Sequence, residues 1–168
     1  MLLSYKENKH CIISIISLIL DGVIVYFMPS YFNQINYFYP MLTISFLPFL
    51  YDSNLKKYYR RCFILGIVYD LLYSNIFLFN AFLFLLMAKI DSKILKIYKN
   101  SFIIYFVLFL INLLLYDGTS FLLVLITKYQ SVTVNHLIYK IVHSLPLNFL
   151  SIFVYSFLCR NRWKTHKM

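Results

Sequence analysis

The sequence predicts an all-α integral membrane protein with about six transmembrane helices in a single polytopic domain. Three observations carry this. The 168 residues are 61% hydrophobic and 20% aromatic but only 13% charged, against about 25% charged in a soluble domain, so there are too few charges to cover a water-facing surface. The apolar residues gather in runs divided by short polar segments, and most runs can span much of a roughly 30 Å hydrocarbon core at 1.5 Å per helical residue. The net charge of +10, from 16 Lys and Arg against 6 Asp and Glu, lies mainly between those runs. In a soluble chain that charge would suggest nucleic acid; here the positive-inside rule explains it, and no nucleic-acid partner is expected.

The first run covers residues 11–28 and contains Asp21. It is longer than a signal-peptide apolar region and no small-residue cleavage site follows, so it is expected to be a retained helix. Residues 29–36 carry no charge and end it. The second run covers 37–51, with Pro40 in its first turn, where a missing N–H costs little, and Pro48 kinking its far end. A basic loop at 52–61 holds Lys56, Lys57, Arg60 and Arg61. The third run, 62–73, and the fourth, 76–90, are divided by Ser74 and Asn75. A second basic loop follows at 89–99, with Lys89, Lys93, Lys96 and Lys99 against Asp91. The fifth run covers 101–116. Beyond it Asp117-Gly118 reads as a turn. Either the fifth helix continues to about Thr127, or residues 119–135 form an interfacial segment. The last run, 139–159, contains Pro146 and precedes a basic tail with Trp163 as an interface anchor.

Charge placement selects the topology. With six crossings and both termini cytoplasmic, the N-terminal segment (+1), the two loops (+3 each) and the tail (+4) place +11 on one face. Asp21, Asp70, Asp117, Lys128 and Lys140 make up the remaining −1. Reading 62–88 as one helix would move a basic loop outside; a tight hairpin at 74–75 keeps both loops inside.

The sharpest chemical feature is Gly66-Ile67-Val68-Tyr69-Asp70-Leu71-Leu72. An Asp near the bilayer centre costs roughly 2.5–3.5 kcal/mol on insertion scales, so it must be paired, hydrogen-bonded or protonated. Gly66 and Asp70 are four apart and share a helix face, placing a side-chain-free notch beside an acid. The bland reading, an acid satisfied within its own bundle, is favoured over partner docking, because polar contacts in membranes average only about 0.6 kcal/mol net. Asp21 is expected near the outer interface.

Cys11, Cys62 and Cys159 are scattered near helix ends, with no metal-ligand spacing and no disulfide framework. His136 and His143, seven apart, have no Cys or carboxylate at ligand spacing, so no metal site is expected. No P-loop, nucleophile elbow or zinc-protease motif occurs, and three glycines cannot build a phosphate cradle. No enzyme activity and no cofactor are expected. Membrane lipid is an expected partner of the basic loops.

The Gly66-x-x-x-Asp70-Leu71-Leu72 segment resembles the core motif of the bacterial rod shape-determining MreD family. Pro40 at the start of the second helix, the basic loop before the motif, Phe79-Asn80-Ala81 after a short hairpin, and Pro146 with Asn148 in the last helix are similar to that family's pattern. One departure is that Leu78-Phe79 stand where the family has glycine before its Leu-Asn-Ala. The resemblance covers the chain in length and topology, and specific residues from about 40 to 90. It implies a six-helix fold similar to the substrate-binding S components of energy-coupling factor transporters. It also implies a non-enzymatic scaffold of the elongation complex in the bacterial cytoplasmic membrane, controlling cell shape and side-wall peptidoglycan synthesis. The implied partners are an MreC-like bitopic protein and, indirectly, an MreB-like actin and the peptidoglycan synthase pair. Gly66, Asp70, Pro40, Asn80 and Asn148 are the implied structural or partner-binding residues.

The competing reading is a small-molecule transporter subunit of the S-component type. It needs a polar pocket, for which Asp21, Asp70, Asn80, Asn112 and Asn148 are the available residues, and a small-xxx-small face, which does not stand out. An intramembrane enzyme is a third reading with no convergent motif.

Overall fold

The structure is a computed structural model that describes residue 12 and residues 14–23, 43–45, 54–74, 76–97, 102–127 and 133–159. These residues form helices and their short connections, with no strand among them. The helices are α1 (Ser14–Val23), α2 (Leu55–Tyr73), α3 (Phe79–Ile97), α4 (Phe102–Thr127) and α5 (Val134–Cys159). Residues 43–45 are helical and fully buried within the second run. Pro40 and the rest of that run lie outside the described residues.

Helix α2 begins seven residues before the apolar run. Asn54 caps it: its side-chain oxygen accepts from the Lys57 N–H at 3.3 Å, satisfying one of the amides a helix start leaves open. Lys56, Lys57, Arg60 and Arg61 are therefore helical rather than in a loop. At the other end Ser74 closes the helix in extended conformation, its N–H donating to the Asp70 carbonyl at 3.2 Å.

Helix α3 likewise runs past its predicted end at residue 90 to Ile97. The expected basic loop at 89–99 is thus mostly helix. Lys89, Lys93 and Lys96 stand on its exposed face, and Asp91 is fully buried on the other. The charge pattern located the basic surface correctly, but Asp91 does not belong to it.

Helix α4 runs unbroken to Thr127, so Asp117-Gly118 is not a turn and 119–127 is not a separate interfacial segment. Asp117 is buried and its carboxylate lies 3.7 Å from the Lys140 ammonium of α5. The half-buried Lys140 pairs with the acid, and one interior Gly costs only about 1 kcal/mol against Ala, too little to break so apolar a helix. Helix α5 starts five residues earlier than predicted and carries Pro146 inside.

Contacts along the helices set their directions. Near its C-terminal end α1 meets the end of α2: the Tyr73 hydroxyl donates to the Leu18 carbonyl at 2.9 Å and the Tyr69 hydroxyl to Asp21 at 3.4 Å. Ser14, Ile15, Leu18 and Ile19 of α1 line one groove with Arg60, Arg61, Ile64, Val68 and Leu72 of α2. Helices α4 and α5 are antiparallel, pairing Asp117 with Lys140 and the Phe106 ring with Phe149 at 5.5 Å.

The core sits where α2 and α3 meet α4 and the 43–45 segment, around Tyr58, Cys62, Phe84, Met87, Tyr105, Leu108 and Leu113. The outward faces are strongly apolar, with Ile64, Leu71, Phe82, Ile103, Leu114 and Leu150 exposed. Asp21, Asp70, Asp91, Asn112 and Asp117 are each at most 3% exposed. Among the described residues one helix, Ile103–Thr127, is by itself long and apolar enough to cross a membrane.

Candidate functional site: the capped hairpin of Gly66, Asp70 and Asn80

The sequence places a glycine and an acid on one face of α2, and the fold aims that face at the first turn of α3. The connection after Tyr73 is short. Ser74 stabilises it by accepting from the Ile76 N–H at 3.1 Å. Leu78 then turns the chain with φ of 67°, a left-handed conformation that costs a non-glycine L residue roughly 1–2 kcal/mol. Helix α3 starts immediately after, its first backbone bond running from the Phe82 N–H to the Leu78 carbonyl at 3.2 Å.

That turn carries the new helix N-terminus back over Asp70. The carboxylate accepts three bonds: from the Asn80 N–H at 3.1 Å, the Asn80 side-chain amide at 2.8 Å and the Ala81 N–H at 3.2 Å. Asp70 caps a helix to which it does not belong. The cap satisfies two amides that the helix start leaves without intrahelical partners, and it sets a carboxylate where the helix dipole favours negative charge.

Gly66 makes the approach possible. A Cβ there would meet the Ala81 Cα at 2.5 Å, the Asn80 carbonyl oxygen at 2.6 Å and the Ala81 nitrogen at 2.7 Å. All three are backbone atoms, which no side-chain rotation removes. The close contact that glycine before Asn80 would have supplied is supplied from the facing helix. Cys62, one turn before Gly66 and fully buried, extends the small-residue face, and Ala81 and Ala88 are fully buried on α3. A small-xxx-small pair is therefore present in Cys62 and Gly66, and it packs inside the chain. Cys62 lies within α2, not at its end.

A second polar group lies deeper along α3. Asn112 donates through its amide nitrogen to Asp91 at 2.8 Å and to Ser45 at 2.9 Å, joining α3, α4 and the 43–45 segment. Tyr58 donates to the Ile44 carbonyl at 2.9 Å, and the Tyr59 hydroxyl lies 2.6 Å from that of Ser92. Sequence reasoning missed Asp91 because it sat among four lysines. Its spacing held the signal: with Asn80, Phe84 and Met87 it follows the i, i+4, i+7, i+11 stripe of one helix face.

The remaining candidates fall elsewhere. Asp21 is buried against Tyr69; Tyr69 also bonds with Tyr116 of α4. Asn148 is buried and donates to the Ser144 carbonyl one turn back at 2.9 Å, next to Pro146, which has no N–H for the helix ladder. His143 is exposed and stacked on Tyr139 with ring centres 3.7 Å apart. Among the described residues no cluster of three His, Cys, Asp or Glu is placed to hold a metal. Of the five polar residues a transporter pocket would draw on, Asp70 and Asn80 are engaged with each other and Asn112 with Asp91 and Ser45. The geometry is that of a locked hairpin. No protein-family model, curated protein or solved structure matches this chain.

Proposed function

We propose that the chain is a non-enzymatic, six-crossing scaffold of the bacterial cytoplasmic membrane, similar in role to the MreD family. It would hold an MreC-like bitopic protein and, through it, the machinery of side-wall peptidoglycan synthesis. The observation that carries the reading is the hairpin lock. The three parts of the resembling motif, Gly66, Asp70 and Asn80-Ala81, meet at one point. The departure from the pattern also falls into place: Leu78, where the family has glycine, adopts the left-handed conformation that glycine reaches freely.

Helix directions support the six crossings. Antiparallel α4 and α5 suit a fifth and a sixth crossing. Exposed Leu, Ile and Phe over buried Asp and Asn is the arrangement for a hydrocarbon solvent.

In this scheme the Asp70 carboxylate is engaged by the chain's own amides, so it shapes the partner surface without touching the partner. The surface itself is the exposed apolar side of α2 and α3, with Ile64, Val68 and Leu71 on one helix and Phe82 and Leu86 on the other. The test is affinity purification of the tagged chain from detergent-solubilised membranes of its host. Recovery of an MreC-like bitopic protein, reduced by Leu71→Asn and Phe82→Asn, is expected. Recovery of a paired ATPase module would overturn the scaffold reading for the transporter one.

A further inference from the structure

Asp91 of α3 and Asn112 of α4 are both fully buried, and their hydrogen bonding is incomplete in a particular way. The Asn112 amide nitrogen spends its two hydrogens on Asp91 Oδ2 at 2.8 Å and on Ser45 Oγ at 2.9 Å. The other oxygen of each side chain, Asp91 Oδ1 and Asn112 Oδ1, finds no donor among the described residues. Two acceptors thus stand unmatched on two groups already bonded to each other, and an acceptor without a donor in a dry interior is costly.

Charge is unmatched as well. Tyr58 and Cys62 of α2 lie close enough to Asp91 to interact with it electrostatically. Asn112 meets it from α4, and Ser45 joins through Asn112; none of these is a cation. The Tyr58 hydroxyl is committed to the Ile44 carbonyl at 2.9 Å. Lys89, Lys93 and Lys96 stand on the exposed side of α3. One turn back on each helix are Met87 and Leu108, both fully buried. A lone carboxylate in such surroundings neutralises rather than stays charged.

One proton answers both deficits. A carboxylic acid has one O–H donor, and a primary amide has both donors and an acceptor. Together they close a ring, N–H to one carboxyl oxygen and O–H from the other back to the amide oxygen. We propose that Asp91 is a buried proton-binding site, its Oδ1–H donating to Asn112 Oδ1, so that the bound proton clamps α3 to α4 and, through Ser45, to the 43–45 segment. Binding adds one proton to the carboxylate; release returns it to water, which requires the junction to open. A bridging water would supply two donors but leave the anion uncompensated. A hard cation would find the side-chain oxygens of Asp91, Asn112 and Ser45, short of the roughly six that such ions take. The clamp is separate from the Asp70 hairpin and from the partner surface, and it holds whichever proteins the chain binds.

The test is infrared spectroscopy of the full chain in lipid bilayers at mildly acid pH, where an exposed carboxylate stays ionised. The difference between wild type and Asp91→Asn should show one protonated-carboxyl C=O band, which moves to lower frequency in D2O. Asp70→Asn should leave that band in place. Asn112→Ala, which removes both bonds of the ring, should move it to higher frequency, and this shift is read without altering Asp91 if Asp91→Asn does not fold. Exchange of sodium for choline should change nothing. Carboxylate bands in place of the protonated one overturn the proposal, since Asp91 is then ionised beside a water or a cation. A protonated band that Asn112→Ala leaves unmoved overturns the pairing with Asn112. A band that appears only when sodium is withheld gives the site to a metal ion and overturns the proposal too.

Discussion

Replacing Gly66 with alanine adds one methyl group at the tightest point of the hairpin, and its cost can be worked out from the contacts. The new Cβ would lie 2.5–2.7 Å from three backbone atoms of Asn80 and Ala81. Ordinary van der Waals contact begins near 3.4 Å, so the first turn of α3 must retreat by roughly 1 Å. The three bonds to Asp70, now 2.8–3.2 Å, would stretch to about 4 Å, beyond useful hydrogen bonding. At about 0.6 kcal/mol for each polar contact in a membrane protein, the three together contribute about 2 kcal/mol. Overpacking adds about 1–3 kcal/mol. Gly66→Ala should therefore lower stability by about 3–5 kcal/mol, measured by reversible unfolding in mixed micelles titrated with sodium dodecyl sulfate and followed by circular dichroism. Gly118→Ala is the internal control. A Cβ at Gly118 meets nothing within 4 Å, so it should be neutral or stabilise α4 by up to about 1 kcal/mol. If Gly66→Ala unfolds at the wild-type midpoint, the hairpin is not closed through Gly66 and the reasoning fails.

The other predictions concern the polar contacts and the topology. Asp70→Ala leaves three donors without their acceptor and should destabilise by about 2–3 kcal/mol; Asp70→Asn keeps one acceptor oxygen and should cost about half as much in the same titration. Leu78→Gly removes a partly buried apolar side chain yet should be neutral or stabilising by up to about 1 kcal/mol, because it relieves the positive φ; a clear loss would contradict a left-handed turn there. Asp91→Ala and Asn112→Ala should be non-additive, with a coupling energy of about 0.5–1.5 kcal/mol in a double-mutant cycle, whereas Asp91 placed in a solvated loop would give none. Cysteines at Lys93 and Phe77, both exposed, should label with an impermeant maleimide from opposite sides of the membrane, Phe77→Cys from outside and Lys93→Cys only after permeabilisation.

Much of this was legible in the sequence, and the errors share a cause. Apolar runs located the helices but not their ends, because hydropathy marks apolar stretches and the helices continue past them into polar sequence. Asn54 starts α2 in polar sequence, and α3 carries its lysines for two turns past residue 90. The Gly66 and Asp70 face was evident from their spacing, and so was an internally satisfied acid as the favoured state. What was not evident was the partner, since a turn at Leu78 decides which backbone amides arrive over the carboxylate. Asp91 and Asp117 were assigned to a loop and a turn because net charge and the Asp-Gly pair are local signals. The contacts that bury them, Asn112 and Lys140, are distant in sequence.

The scaffold claim is tested most directly by depleting the protein in its own host while following cell shape and the site of new peptidoglycan insertion. The account predicts that side-wall insertion falls and the cells shorten and round, with wild-type expression restoring them and Gly66→Ala failing to do so. Depleted cells that keep their shape and side-wall insertion but acquire a requirement for a supplied nutrient would contradict it.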